Sequence, residues 1–201
     1  MERIESLYPR YDQAGKELIY KAYTIAAEAL KDLKRGNGRP FIDHPDAVGR
    51  IADQEIGLSA ECIAAVYLHE AMRFKPETDI TSAGFGKDIC TIVDGLNKIS
   101  TINPKDTRLE AENYKRLIVS YSKDPRVTVL KIADRLEVMR SLEMFPKTSR
   151  ERKVLETMML YIPLAHQLGL YNIKSELEDI YFRYAEPEQY RTITNKLKST
   201  E

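Results

Sequence analysis

His69 is followed at once by Glu70, at the end of the mostly apolar run Cys62-Ile63-Ala64-Ala65-Val66-Tyr67-Leu68. A histidine and a carboxylate delivered together by one helix end suit a divalent metal. Two further residues carry matching chemistry. His44 precedes Pro45 beside a turn-rich segment, and Asp134 sits inside the otherwise apolar stretch Ile132-Ala133-Asp134-Arg135-Leu136. A carboxylate there must find a cation, hydrogen bonds or a metal, because burying it unpaired is costly. His44, His69, Glu70 and Asp134 together supply two imidazoles and two carboxylates, a set for Mn²⁺, Fe²⁺ or Zn²⁺ rather than a thiolate-preferring ion. They are distant in the chain, so the residues alone leave two readings open. One is a metal centre; the other is core histidines and a salt-bridged aspartate.

The elements that must position these groups are helical. Leu18, Ala22, Ile25, Ala26, Ala29, Leu30 and Leu33 recur at helix spacing, and Gly36-Asn37-Gly38-Arg39-Pro40 ends that helix. A second helix starts near His44-Pro45, proline being tolerated in a first turn, and stops at Gly57. Ser59 is the N-cap expected for the helix carrying His69. Residues 73–83 are polar, contain Pro76 and read as a loop. Helices follow at about 86–99, 107–122, from Asp124-Pro125 to Met144, and over 148–168, 171–184 and 187–199. No strand alternation, hairpin turn or repeat appears. The expected fold is all-α, eight or nine helices around one core, in a single domain over 1–201.

Composition narrows the function classes. Hydrophobic residues at 43% and charged residues at 31% are ordinary for a soluble globular chain and argue against disorder. Lys+Arg and Asp+Glu are equal at 31 each, so no basic surplus exists to neutralise nucleic-acid phosphates. Cys62 and Cys90 lie in apolar helical stretches and read as buried free thiols of a reducing compartment. Met1 to Arg10 lacks an apolar signal-peptide core, and no segment approaches the ~18 apolar residues of a membrane span. A cytoplasmic protein is expected.

Arg35-Gly36-Asn37-Gly38-Arg39-Pro40-Phe41-Ile42-Asp43-His44-Pro45 resembles the opening motif of the hydrolase domain in RelA/SpoT alarmone enzymes. Later stretches resemble the same domain in the same order: Phe85-Gly86 through Val93-Asp94-Gly95-Leu96-Asn97-Lys98, Ala111-Glu112-Asn113-Tyr114-Lys115-Arg116, Lys131 to Leu136 with Met139-Arg140, then Glu156-Thr157, Pro163 to Gly169 and Leu177-Glu178-Asp179. The resemblance implies an all-helical, Mn²⁺-binding HD-type domain that removes the 3′-pyrophosphate from (p)ppGpp. That chemistry uses a metal to polarise phosphate and acidify water, with acids beside it to handle protons. The implied ligands are His44, His69, Glu70 and Asp134, where the family has aspartate in place of Glu70. Arg35 takes the place of a basic residue on the guanine side.

Departures cluster where the reacting phosphate would lie. The family's Glu-Asp pair one turn beyond the His-Asp falls on Arg73 and Phe74. An asparagine after the distant aspartate falls on Val138, and the histidine before it on Glu137. Arg73 is no base at neutral pH, and Phe74 has no proton to transfer. A missing general base removes about 10²–10⁴-fold of rate. The expectation is therefore a pseudo-hydrolase with no catalytic residues, in which Glu70 and Arg73 leave Mn²⁺ weakly bound or absent. Its implied role is the regulatory or structural part of a RelA-like GTP pyrophosphokinase, continuing into a synthetase domain in cis beyond Leu177-Glu178-Asp179. Two alternatives stay open: an active Mn²⁺-dependent guanosine-3′,5′-bis(diphosphate) 3′-pyrophosphohydrolase with an altered site, in which Glu137 replaces a lost acid, or a module that binds the guanine-nucleotide alarmone without turnover. Arg73 has two readings of its own, a phosphate-binding cation or a loop-facing solvent cation. His166 is expected to be a structural residue at a helix end.

Overall fold

Apolar residues spaced three and four apart fold into helix through most of the described chain. A computed structural model describes residues 1–100, without the Ser100 side chain, and 123–199. The helix expected over 107–122, with the Ala111 to Arg116 motif, lies outside the described residues. Among the described residues there is no strand beyond a single bridge between Lys34 and Pro40, so the all-α class holds.

The described chain falls into two compact units, Met1–Glu137 and Val138–Glu201. The first contains α1 (Glu2–Leu7), α2 (Gln13–Leu30), α3 (Asp43–Arg50) running into a wide π turn (Ile51–Ile56), α4 (Ala60–Phe74), α5 (Lys87–Ser100) and most of α6 (Pro125–Arg140). α4 is its axis. Every residue from Cys62 to Ala71 is buried, and the helix packs on α2, α3 and α5. Alanines at 64, 65 and 71 keep those neighbours close, while Ile63 and Leu68 of α4 and Ile19 and Leu30 of α2 are all buried. α5 and α6 approach so nearly that a Cβ on Gly95 would sit 2.7 Å from Val127. Gly57, at φ 84, ends the π turn in a conformation that only glycine adopts without strain.

The second unit contains the end of α6, a 3₁₀ turn (Leu142–Met144), α7 (Lys147–Glu156), a π turn (Thr157–Tyr161), α8 (Ile162–Gln167), α9 (Tyr171–Ala185) and α10 (Pro187–Lys198). Ile173, Leu177 and Ile180 of α9 are buried in it with Leu160 and Leu164. Arg140 donates to both carboxylate oxygens of Glu176, at 2.7 and 2.6 Å.

Several local expectations are corrected. Arg73 and Phe74 are not loop residues; they complete α4, whose end is closed by the Lys75 N–H donating to the Ala71 carbonyl at 2.8 Å. Ser59 stands at the N-cap of α4 but makes no capping bond, and its hydroxyl points to Cys62 Sγ instead. Cys90 is only half-buried, unlike Cys62. The Asp124 signal holds, its Oδ1 accepting from the Arg126 N–H at 3.0 Å. α1 was not anticipated; its Ile4 is fully buried in the first unit.

Candidate metal centre

The loop before α3 is a tight hairpin. Arg35 N–H donates to the Arg39 carbonyl at 2.8 Å, and Phe41 N–H to the Leu33 carbonyl at 3.0 Å. Gly38, at φ 82, makes the reversal possible. The hairpin delivers Arg35 inward and places His44 in the first turn of α3. That turn is anchored by a buried polar chain: the Tyr8 hydroxyl meets that of Tyr67 at 2.8 Å, and Tyr67 donates to Asp46 Oδ1 at 2.7 Å. Arg3 closes on the other Asp46 oxygen. α1, α3 and α4 are thereby locked together two residues from His44 and two from His69.

His44, Glu70 and Asp134 converge, each offering an atom within 4.8 Å of the others. His44 Nε2 is 3.1 Å from Asp134 Oδ1 and 3.7 Å from Glu70 Oε1. His69 Nε2 is 3.7 Å from the same Glu70 oxygen. Both imidazoles thus turn Nε2 toward the acids, and both tie Nδ1 to an acceptor behind. His44 Nδ1 lies 2.6 Å from Glu137 Oε2, and His69 Nδ1 lies 2.7 Å from Asn97 Oδ1. An outer acceptor that fixes ring and tautomer is the usual support of a metal-binding histidine. His44, His69, Glu70 and Asp134 enclose, with Lys131 and apolar neighbours, a gap of about 10 Å³, the size of one water or ion. Glu70 Oε2 is buried and has no hydrogen-bond partner. Glu70 Oε1 facing the two imidazole Nε2 atoms at 3.7 Å, with Asp134 beside them around one ion-sized gap, makes a donor set that fits a divalent cation.

Electrostatics agree. Burial opposes a charged His44, but hydrogen bonds to Asp134, Glu137 and Glu70 outweigh it and hold its pKa well above the ordinary value. Burial, aided by the Lys131 charge, pushes His69 down to about 4. For Asp134, burial is overcome by its His44 hydrogen bond and by the charges of Lys131 and His44, so the carboxyl lies below its usual range. Glu70 is shifted the same way, its burial overcome chiefly by His44. The metal-free site therefore holds ionised acids, a neutral His69 and a proton on His44.

Arg73, Phe74 and Arg35 lie near this centre. Arg73, half exposed, brings Nη1 to 3.6 Å from Glu70 Oε2. Phe74 packs edge-on against Phe41, ring centroids 5.0 Å apart, and Phe41 in turn meets His44 at 5.7 Å. Arg35 is nearly covered, at 11% side-chain exposure, and reaches Glu137 Oε1 at 2.5 Å. Both Glu137 oxygens are thus engaged, one with Arg35 and one with His44 Nδ1. Val138 is half-buried and opens the second unit. His166 is exposed at the end of α8 against Tyr171. Sequence reasoning missed the roles of Asn97 and Lys131. Asn97 lies on the buried stripe of Val93 and Leu96, an odd place for an amide, and Lys131 stands one turn before Asp134 in an apolar helix.

Residues 22–171 match the HD domain family, and the chain belongs to it. Within that family it is an HD domain of the RelA/SpoT kind. It is 38% identical over 203 residues to the guanosine-3′,5′-bis(diphosphate) 3′-pyrophosphohydrolase of Aquifex aeolicus, a match covering 99% of this chain and 28% of that protein. It is 36% identical to the bifunctional (p)ppGpp synthase/hydrolase SpoT of Escherichia coli, covering 90% of this chain and 26% of the relative. A probable GTP pyrophosphokinase of Mycobacterium leprae is 33% identical, with 91% and 23% covered. The chain spans about a quarter of the length of these relatives. A solved structure of a metazoan ortholog of SpoT shares the fold, with a TM-score of 0.65 at 18% identity over 87% of this chain and 98% of that one. Among the described residues no helix is long and apolar enough to cross a membrane.

Proposed function

We propose that this chain is the hydrolase-type domain of a longer alarmone enzyme, and that it retains the metal-binding half of the reaction centre without the proton-handling half. The observation that carries this is the contrast within one helix end. His69 and Glu70 face the ion-sized gap with His44 and Asp134, while one turn on the chain presents Arg73 and Phe74.

His44, His69, Glu70 and Asp134 would hold the ion, Mn²⁺ by resemblance, and it would supply phosphate polarisation and a more acidic water. Asn97 and Glu137 keep the two imidazoles turned inward. Arg73 offers a cation at the mouth that binds phosphate without taking a proton. Phe74 covers the approach to His44 through Phe41 and excludes water there. Such a cleft binds a guanosine 3′-pyrophosphate and turns it over slowly or not at all, and the domain acts as a regulatory partner of a synthetase in cis. The length and names of the relatives support that context. The assembled ligand set favours one further reading, a working Mn²⁺-dependent ppGpp pyrophosphohydrolase with altered acids.

Calorimetric titration of the metal-free chain with Mn²⁺ tests the common core of both readings. One site is expected in the native chain and none in His44→Ala or His69→Ala. Equal affinity in all three would remove the metal centre.

A further inference from the structure

We infer that Glu137 is a positioning residue that sets the orientation of His44, and that Arg35 acts by clamping Glu137. The inference rests on the metal reading above for its consequence, but its geometry stands alone. Glu137 Oε2 meets His44 Nδ1 at 2.6 Å, Glu137 Oε1 meets Arg35 Nη2 at 2.5 Å, and all three side chains are nearly covered, at 7%, 7% and 11% exposure. Family resemblance places a histidine at 137 and sends Arg35 toward guanine. In this chain the two residues face each other across a sequence separation of 102, and Glu137 bridges Arg35 and His44 through its two oxygens.

The arrangement has a defined consequence. An imidazole that donates from Nδ1 to Glu137 turns Nε2 to whatever lies in front, here Glu70, Asp134 and the gap between them, as a donor to those acids without an ion and as a lone pair once an ion displaces the proton. A carboxylate free to rotate would hold the ring poorly. One fixed by a guanidinium through its other oxygen holds it in a single plane. The two imidazoles are therefore supported differently. His69 leans on the neutral amide of Asn97, while His44 leans on a charged carboxylate with its own counter-ion. Glu137 donates no ligand oxygen to the ion; it determines where the His44 ligand points.

Two readouts test this, and the first needs no metal. In metal-free protein, ¹⁵N-edited NMR should show an exchange-protected downfield proton on His44 Nδ1, assigned by its loss in His44→Gln. Glu137→Gln keeps an acceptor and should keep that proton. Glu137→Leu, of similar size without an acceptor, should lose it. The second readout is Mn²⁺ affinity, which should fall about 10–100-fold in Glu137→Leu and less in Glu137→Gln. Arg35→Met should weaken Mn²⁺ binding in the native background and add nothing in the Glu137→Leu background, because it acts through the same residue. Should Glu137→Leu fail to fold, Arg35→Met carries the test. An unchanged Nδ1 proton and unchanged affinity in the variants would overturn the proposal. If the native chain binds no Mn²⁺ while the Nδ1 proton still follows Glu137, the metal reading fails and the positioning role stands.

Discussion

Arg73 Nη1 lies 3.6 Å from Glu70 Oε2, a buried oxygen with no hydrogen-bond partner. The contact sets the one cation that this helix end contributes against any ion that would use the same oxygen. Arg73 is half exposed, so its charge is screened and its effect on a nearby site is about 1 kcal/mol at most. Arg73→Ala should therefore raise Mn²⁺ affinity by up to about 5-fold, read by calorimetry at low and high salt. Lower affinity in Arg73→Ala would show that Arg73 helps to organise Glu70 instead.

Protons and metal compete for His44. Its pKa is held well above 6.5, so an incoming ion must displace a proton at neutral pH. Mn²⁺ affinity should rise as pH rises from about 6.5 through that raised value, with proton release visible in buffers of different ionisation enthalpy. The sign for stability is opposite. A raised folded pKa contributes stability that is fully present below about pH 6.5 and is lost as pH rises through the folded value. The unfolding midpoint of the metal-free chain should fall over that window, and saturation with Mn²⁺ should remove the fall. A pH-independent affinity would contradict the placement of the proton on His44.

Gly49 faces the buried hydroxyl of Tyr8, and a Cβ there would run into it. Tyr8 is fully buried and bonded to Tyr67, so it has nowhere to move. Gly49→Ala should cost about 1–3 kcal/mol, as overpacking does, and lower the thermal midpoint by several degrees. Because Tyr67 also holds Asp46 beside His44, the same variant should weaken Mn²⁺ binding. An unchanged midpoint would show that α1 is not part of the lock.

Much of this was legible before the structure, for physical reasons that differ by residue. Helices announce themselves through local spacing, so α2, α4 and α6 could be read from their apolar stripes. His44 and Asp134 are far apart in sequence, and only resemblance to a family joined them. Arg73 and Phe74 were misread as loop because Pro76 and polar neighbours come directly after them, yet both tolerate helix and the backbone continues to Phe74. The partners of Glu137 were invisible. A helical position says which face a carboxylate occupies but not which cation a distant hairpin will bring to it. The 3₁₀ and π turns were also missed, since they arise from how helix ends are drawn into the core rather than from residue spacing.

Restoring the family residues together, as Glu70→Asp, Arg73→Glu, Phe74→Asp and Val138→Asn, should return Mn²⁺-dependent hydrolysis of ppGpp. Single reversions should do little, because catalytic groups that work as a unit are strongly non-additive. Substantial activity from Arg73→Glu alone would assign the whole defect to that position.

Pyrophosphate release from ppGpp by the unaltered chain, with saturating Mn²⁺, tests the central claim most directly. The account predicts a rate no greater than that of His69→Ala under the same conditions, although the native chain binds the metal. Clear turnover that disappears in His69→Ala would contradict it and establish a working hydrolase with altered acids.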